Sequence, residues 1–369
     1  MEKKEHSLDV LSTGKTPRKK AVKRVTAGAM QNTQMTLFQS FLCNTVDERS
    51  QLSNTIALWD SIPRYSVSRL AMAKMRSPER RLESLKLDFR FQDRALRAVI
   101  HPARIEVEDK TTGKSASVDF YPSAAEELVE DALRKIAADT QQGYFDKPQY
   151  QSGVQFTLHQ LREELKRRGH TRAYHEIIMS LDILAQSTIR IMEDDERSGG
   201  FAVSTYLPSL ASVSRADWEA DPDAKWVAQF HPLVTRSIDQ LTYRQFNYHQ
   251  MMSLNSQLAR WIHKQLAMKF TFASHGRTFD MRFSTIKRDS ALLNGYTLNR
   301  KAFEAVDDAL NELKARKVLM FFEKNTILGL RNKLEDAVYT LTPSLEFIRE
   351  MKAANKRLLL AGQPPQEAA

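Results

Sequence analysis

Between residues 155 and 215 the apolar positions first repeat with a helical period and then alternate. Leu158, Leu161 and Leu165 fall at i, i+3 and i+7 behind Thr157, and Gly169 stands where that helix would end. Thr171 is placed to cap a second helix with Tyr174, Ile177, Ile178, Leu181 and Leu184 on its buried face. Thr188, Ile189, Arg190, Ile191 and Met192 then alternate as a strand, 193–200 reads as a polar turn, and 201–207 as the returning strand. Helix, short turn, helix and β-hairpin is the order of a winged helix.

The same order recurs about 125 residues later. A short helix is expected from Phe283, with Asn294 and Gly295 after it, then a longer one over 298–316 carrying Phe303, Val306, Leu310 and Leu313 on one face. Residues 318–322 read as a strand, Lys324 and Asn325 as its turn, and 337–341 as the return, with an apolar helix over 256–268 in front. The two units match in pattern, with negligible identity, as in an old duplication. Ahead of them, 104–108 and 117–120 suggest a hairpin turning at 110–113, and Ser123 with Glu126 suggests a capping box for a helix over 124–138.

The expected fold class is therefore α+β: tandem winged-helix domains (helix-turn-helix with a β-hairpin wing) behind a disordered N-terminal arm. The boundaries read as an arm at 1–55, a first winged helix at 56–213, an acidic linker at 214–227, a second winged helix at 228–350 and a C-terminal tail at 351–369. The arm holds too few large apolar residues to offset the entropy of ordering it.

Composition points to a polyanionic partner. The net charge is +10, and the first 24 residues hold eight bases against three acids, half of that excess. A single cysteine, Cys43, rules out an intrachain disulfide and a cysteine-based metal site. No apolar run is long enough for a membrane span, and no signal peptide is recognisable. There is no GxxxxGK[ST] loop, HExxH, His-x-His pair or GxSxG elbow, so no catalytic residue, metal or cofactor is assigned.

The residues with chemistry to offer lie where a winged helix meets DNA. A reading helix enters the major groove by its N-terminal residues, where Arg and Asn can pair bidentately with guanine and adenine and Lys suits phosphate. In the first unit these are Arg167, Arg168, Thr171, Arg172, His175 and Glu176; in the second, Lys287, Arg288, Thr297, Asn299, Arg300 and Lys301. Solvated helix faces and protein-binding winged helices carry similar residues. Lys19 and Lys20 in the arm suit sequence-independent attraction to phosphate, or simple solubility. Gln34, Met35, Thr36, Leu37 and Phe38 form the pattern of a peptide that docks a sliding clamp: Leu37 and Phe38 as apolar anchors, Gln34 as the hydrogen-bonding anchor. The alternative is an amphipathic turn opening the folded domain.

Residues 58–65 (Leu58, Trp59, Asp60, Ser61, Ile62, Pro63, Arg64, Tyr65) resemble a segment near the start of plasmid replication initiators of the RepA type. The order of clamp motif, winged helix, winged helix is similar to initiators of the TrfA type. Met35 stands where Leu is more usual in the motif. The resemblance implies a bacterial cytoplasmic protein that binds repeated double-stranded origin sites (iterons) and promotes local opening. Its implied partners are the host sliding clamp, the replicative helicase and its loader, and DnaA, with self-association into a homodimer. A winged-helix repressor and a nicking or priming enzyme are the competing readings.

Overall fold

The computed structural model describes residues 50–108, 113, 115–139, 142–193, 201–211, 225–240, 242–329 and 334–360. Residues 1–49 of the expected disordered arm, including Lys19, Lys20, Gln34, Met35, Leu37 and Phe38, lie outside them, as do the wing turn at 194–200 and most of the proposed linker.

The chain enters through strand β1 (Leu52–Ile56), a 3-10 turn (Trp59–Ser61) and helix α1 (Arg69–Met75). Two hairpins follow, β2 (Leu85–Phe91) with β3 (Arg94–His101), and β4 (Ala103–Glu108) with β5 (Ser115–Phe120). The second is the hairpin read from the sequence. The first unit then runs α2 (Ala124–Asp139), β6 (Gly143–Asp146), β7 (Gln151–Phe156), α3 (Leu158–Arg167), α4 (Tyr174–Gln186), β8 (Thr188–Glu193) and β9 (Phe201–Thr205). Its strands serve two sheets. The β8–β9 hairpin is extended by the first hairpin in the order β2-β3-β8-β9, while β6 and β7 join β10 (Leu210–Ala211) and β11 (Trp226–Gln229) in the order β10-β11-β7-β6.

Helix α5 (Pro232–Asp239), strand β12 (Tyr243–Asn247) and helix α6 (Tyr248–Met252) lead to the second unit. That unit is α7 (Gln257–Lys269), β13 (Phe279–Arg282), α8 (Phe283–Ser290), α9 (Asn299–Ala315), β14 (Leu319–Leu328) and β15 (Leu334–Pro343), closed by α10 (Leu345–Leu360). Its sheet order, β13-β15-β14, with the long hairpin following the second helix of the pair, is a complete winged helix.

The apolar periodicity accounts for most of these elements. Leu158, Leu161 and Leu165 are fully buried, as are Ile177, Leu181 and Leu184, while Tyr174 and Ile178 are half-buried. Thr157 caps α3 by accepting the Gln160 N–H at 3.0 Å, and Gly169 leaves that helix at φ +88°, where only glycine is unstrained. Glu126 accepts the Ser123 N–H at 2.8 Å at the start of α2, the carboxylate half of a capping box.

Five expectations are corrected. Thr171 does not cap α4; Ala173 is the boundary residue, and its N–H is taken by the Glu176 carboxylate at 2.8 Å. Lys324 and Asn325 are not a turn. Lys324 ion-pairs with Asp307 of α9 at 2.7 Å and lies over the Phe303 ring, so β14 continues to Leu328. The arm does not reach 55, because β1 pairs antiparallel with β12. The linker ends before 226, because β11 pairs with β7 of the first unit, so residue 228 lies inside a first-unit sheet. No tail begins at 351: α10 continues to Leu360, burying Phe347, Ile348, Met351 and Ala354.

The phrase at 58–65 forms the joint between the units. Trp59 is fully buried, and Asp60 and Arg64 nearly so. Arg64 reaches Asp60 (3.1 Å) and Glu130 (3.0 Å), and Arg134 reaches Asp60 (2.8 Å) and Asp131 (2.5 Å). From the other side, Lys264 of α7 meets Asp131 at 2.7 Å and Glu127 at 3.4 Å. The first helices of the two winged-helix units, α2 and α7, are thus joined through a buried lattice of alternating charge. Burial opposes ionisation of Glu130, but Arg64 and Arg134 hold its carboxyl at about 2; Asp60 is likewise held well below its ordinary value. Unpaired, each charge would cost several kcal/mol to bury, on the order of 3–5 for a broken pair.

Candidate nucleic-acid interface

The second unit offers the clearest candidate for a reading head. Phe283 of α8 stacks on Phe303 of α9, ring centroids 3.7 Å apart, and with Ile286, Val306 and Leu310 fixes the helix pair at its buried side. α8 stops at Ala291, in the left-handed region at φ 53°. From there the chain emerges, and residues 294–301 are all exposed. Thr297, Asn299, Arg300 and Lys301 therefore stand together at the open N-terminal end of α9, flanked by Tyr296 and Leu298.

The Arg300 side chain is 88% exposed, and its Nε meets Glu304 at 2.9 Å. A surface pair of this kind contributes about 0–1 kcal/mol, so a phosphate or a guanine edge can displace it. The acids of α9 lie in its later turns. Asp307 is held by Lys324 and Tyr339, and Glu312 accepts the Ser256 N–H at 3.0 Å. Positive charge is thus concentrated on the first turn, the part of a reading helix that meets base edges. Lys287 is half-buried on α8. Arg288 makes two hydrogen bonds to Asp289 (2.7 and 2.9 Å), and Asp289 also accepts the Arg90 N–H of β2 at 3.1 Å. Arg288 therefore sits where the second head abuts the first unit's sheet.

The first head is different. The outward face of α4 presents His175 and Glu176, then half-buried Met179 and Asp182, and the helix contains no Arg or Lys. Burial raises the Asp182 pKa. One flank of α4 packs on β4. The basic residues lie beside it. Thr171 is exposed; Arg172 is half-buried and its carbonyl accepts the Arg162 Nε–H at 3.2 Å. Arg167 is exposed but paired with Glu164. Arg168 is only 6% exposed: it binds Glu164 at 2.9 Å and the Ser50 carbonyl at 2.6 Å, and lies over the Tyr248 ring. It is a brace between α3, the segment just before β1 and α6, not a free cation. The sequence carried the signal for the rest, since the whole of α4 lacks a basic residue; the bracing of Arg168 required partners 80 and more residues away.

A cleft of about 810 Å³ lies elsewhere, between the β2-β3-β8-β9 sheet and α5, with Arg94, Arg236 and Arg244 in mixed walls that include Leu58, Leu96 and Leu233. Among the described residues no cluster of three His, Cys, Asp or Glu side chains could hold a metal ion, and no helix is long and apolar enough to cross a membrane.

Neither a protein-family model nor a curated protein sequence matches the chain. Among solved structures it is similar to domains 2 and 3 of RctB, at 11% identity and a TM-score of 0.44, over 73% of this chain and 95% of that one. A second structure of RctB domains 2–3 gives 10%, 0.43, 76% and 97% for the same quantities. The Pi initiator protein, in complex with iteron DNA, gives 11%, 0.33, 80% and 99%.

Proposed function

We propose that the chain is a non-enzymatic replication initiator of the plasmid type, binding repeated double-stranded DNA sites at an origin through two winged-helix heads. The observation that carries the proposal is the exposed first turn of α9. Thr297, Asn299, Arg300 and Lys301 stand there on a complete winged helix whose acids are confined to later turns. In this reading Arg300 and Asn299 read base edges, and Lys301, Lys287 and Arg288 contact phosphate. The first head contributes position more than readout: His175 on α4 and Arg167, Arg172 and Thr171 beside it fit backbone contacts, on a helix that bears no Arg or Lys.

The arm adds reach. Lys19 and Lys20 attract DNA regardless of sequence, and Gln34, Met35, Leu37 and Phe38 dock the host sliding clamp. Helicase, loader and DnaA are the further partners the role requires, in a bacterial cytoplasm. With no nucleotide-binding motif in the sequence, opening of the origin is driven by binding and bending. Two heads on one chain, rigidly joined through α2 and α7, raise each other's effective concentration on adjacent half-sites.

Footprinting on DNA flanking the gene tests the reading. Wild-type protein is expected to protect regularly spaced repeats, and Arg300→Ala to lose roughly 1–3 kcal/mol of specific binding, about 5- to 150-fold, with relaxed preference at one position. A single protected palindrome would replace the initiator with a repressor. Equal losses on origin and random DNA would remove α9 as the reading helix.

A further inference from the structure

Among the described residues the buried cations are Arg64, Arg134, Lys135, Arg244, Arg260 and Lys264. All but one have a carboxylate within 4.0 Å. The exception is Arg244 of β12, which is 8% exposed. Its Nη2 donates to Asn355 Oδ1 at 2.6 Å and to the Met351 sulfur at 3.7 Å, and its Nε is buried with no hydrogen-bond partner. Burial pulls the Arg244 pKa down to about 10. Glu350, the acid whose field opposes that shift, is itself raised to about 7 by burial and accepts the Asn247 N–H at 2.6 Å. A buried charge is ordinarily paired, because desolvating it alone is costly. Arg244 therefore lacks a counter-ion that its position calls for.

Arg244 lines the cleft of about 810 Å³. One wall is the first unit's sheet, with Phe91, Leu96 and Ile191; the other holds Leu233 of α5, Met268 of α7 and Leu358 of α10. Two further cations stand in these walls. Arg94 meets Glu193 at 3.1 Å, and the exposed Arg236 places its Nε 3.4 Å from the Gln240 side-chain oxygen, with no carboxylate partner among the described residues. Glu193 is the single acid of the lining, so positive charge is in excess. A cleft of this size encloses a small organic molecule, whose apolar body meets the apolar walls and whose polar groups meet a few placed partners. The complement of these walls is an anionic group on an apolar body.

We propose that this cleft is a binding site for a small amphipathic organic anion, its carboxylate or phosphate paired with Arg244 and its apolar body held between the sheet and α5. A guanidinium presents parallel N–H donors that match either headgroup. Arg236 adds to the field at an exposed position. Because one wall belongs to the first winged-helix unit and the other includes α7 of the second, an occupant touches both. The inference does not depend on the proposed DNA-binding role.

Fluorescence titration of the full chain with anilinonaphthalene sulfonate, an aromatic body bearing one anionic group, tests the site. Phenylnaphthylamine keeps the body and lacks the charge. Wild-type protein is expected to bind the sulfonate saturably, one per chain, and more tightly than the neutral dye. Octanoate and octyl phosphate should displace it while octanol does not, and the stronger competitor of the two assigns the headgroup. Arg244→Met keeps the side chain's length and removes its charge. It should weaken sulfonate binding about 10- to 100-fold, the worth of a charge-assisted hydrogen bond, and leave the neutral dye unaffected. Arg236→Gln, at an exposed position where folding is not at risk, should weaken it severalfold, and carries the test if Arg244→Met does not fold. The proposal is overturned by a wild type that binds no sulfonate saturably, by equal affinity for the two dyes, or by a folded Arg244→Met that binds like wild type. Displacement by hexaglutamate but by neither octanoate nor octyl phosphate also overturns it, in favour of a groove for an acidic protein segment.

Discussion

Replacing Glu130 by Gln removes one charge from the lattice that joins α2, α7 and the segment around Trp59 while keeping its volume. The carboxylate accepts the Trp59 Nε1–H at 2.5 Å, the Tyr65 hydroxyl and the Arg64 guanidinium at 3.0 Å. Its pKa in the fold is about 2, against 4.5 for the free side chain, so the fold favours the ionised form by about 2.5 pH units. At 1.36 kcal/mol per unit that is on the order of 3 kcal/mol. The cost of breaking a buried pair from one side, about 3–5 kcal/mol, agrees. Urea unfolding at pH 7, followed by circular dichroism, should therefore find Glu130→Gln about 3 kcal/mol less stable than wild type. The pH dependence carries a sign. A depressed acid contributes stability that is fully present above the unfolded value and lost as pH falls through the folded one. The gap between variant and wild type should hold above about pH 4.5 and close between 4.5 and 2. A variant within about 0.5 kcal/mol of wild type at pH 7 would refute the lattice as a stabilising joint. A gap that persisted to the acid limit would refute the electrostatic account of it.

Four further outcomes are expected. Burial holds His231 and His263 neutral with pKa values of about 3, so stability is lost as pH falls from 6.5 towards 3, and His263→Gln should flatten the slope of unfolding free energy against pH by about one proton. Glu350 has the opposite sign: burial raises its carboxyl to about 7, so the neutral form is favoured and Glu350→Gln should stabilise the chain above pH 7 with little effect near pH 4, as read by Tm across buffers. Arg168→Ala should lower Tm and leave the salt dependence of DNA binding unchanged, since that side chain is spent on Glu164 and the Ser50 carbonyl; a flattened salt slope would make it a phosphate contact after all. Leu37→Ala with Phe38→Ala should abolish capture by the host sliding clamp and leave binding to origin repeats nearly intact, and loss of both together would assign these residues to the folded core.

What was legible in the sequence was whatever repeats within a single element. The 3.6-residue spacing of Leu158, Leu161 and Leu165, or of Phe303, Val306, Leu310 and Leu313, records one face meeting one core, and the buried sets match it. What failed was set by partners distant in the chain. Lys324 and Asn325 look like a turn until Asp307, seventeen residues back, holds Lys324 on the strand. Residues 52–56 look like the end of an arm until β12 pairs with them from nearly 190 residues away. Strand β11, four residues long, has no period to read; it exists because β7 and β10 offer it two edges.

The candidate site divides along the same line. The first turn of α9 could be found from sequence because exposure there follows from the absence of apolar residues between Leu293 and Ala302, apart from Tyr296 and Leu298. The role of the charges at 58–65 could not. Nothing local to Asp60 and Arg64 signals burial, since charges are rarely buried unless paired, and their pairs lie on α2, some 70 residues on. A buried ionic joint adds little net stability over an apolar one of the same shape, but its partners must meet in one geometry, so it fixes orientation more tightly than it holds. Under the proposed function orientation is the property that matters: an apolar joint would let the two heads pivot and spread their binding over several spacings. The ion pairs of Lys264 with Asp131 and Glu127 hold α7 against α2, the restraint that the proposed recognition of a site of fixed length calls for.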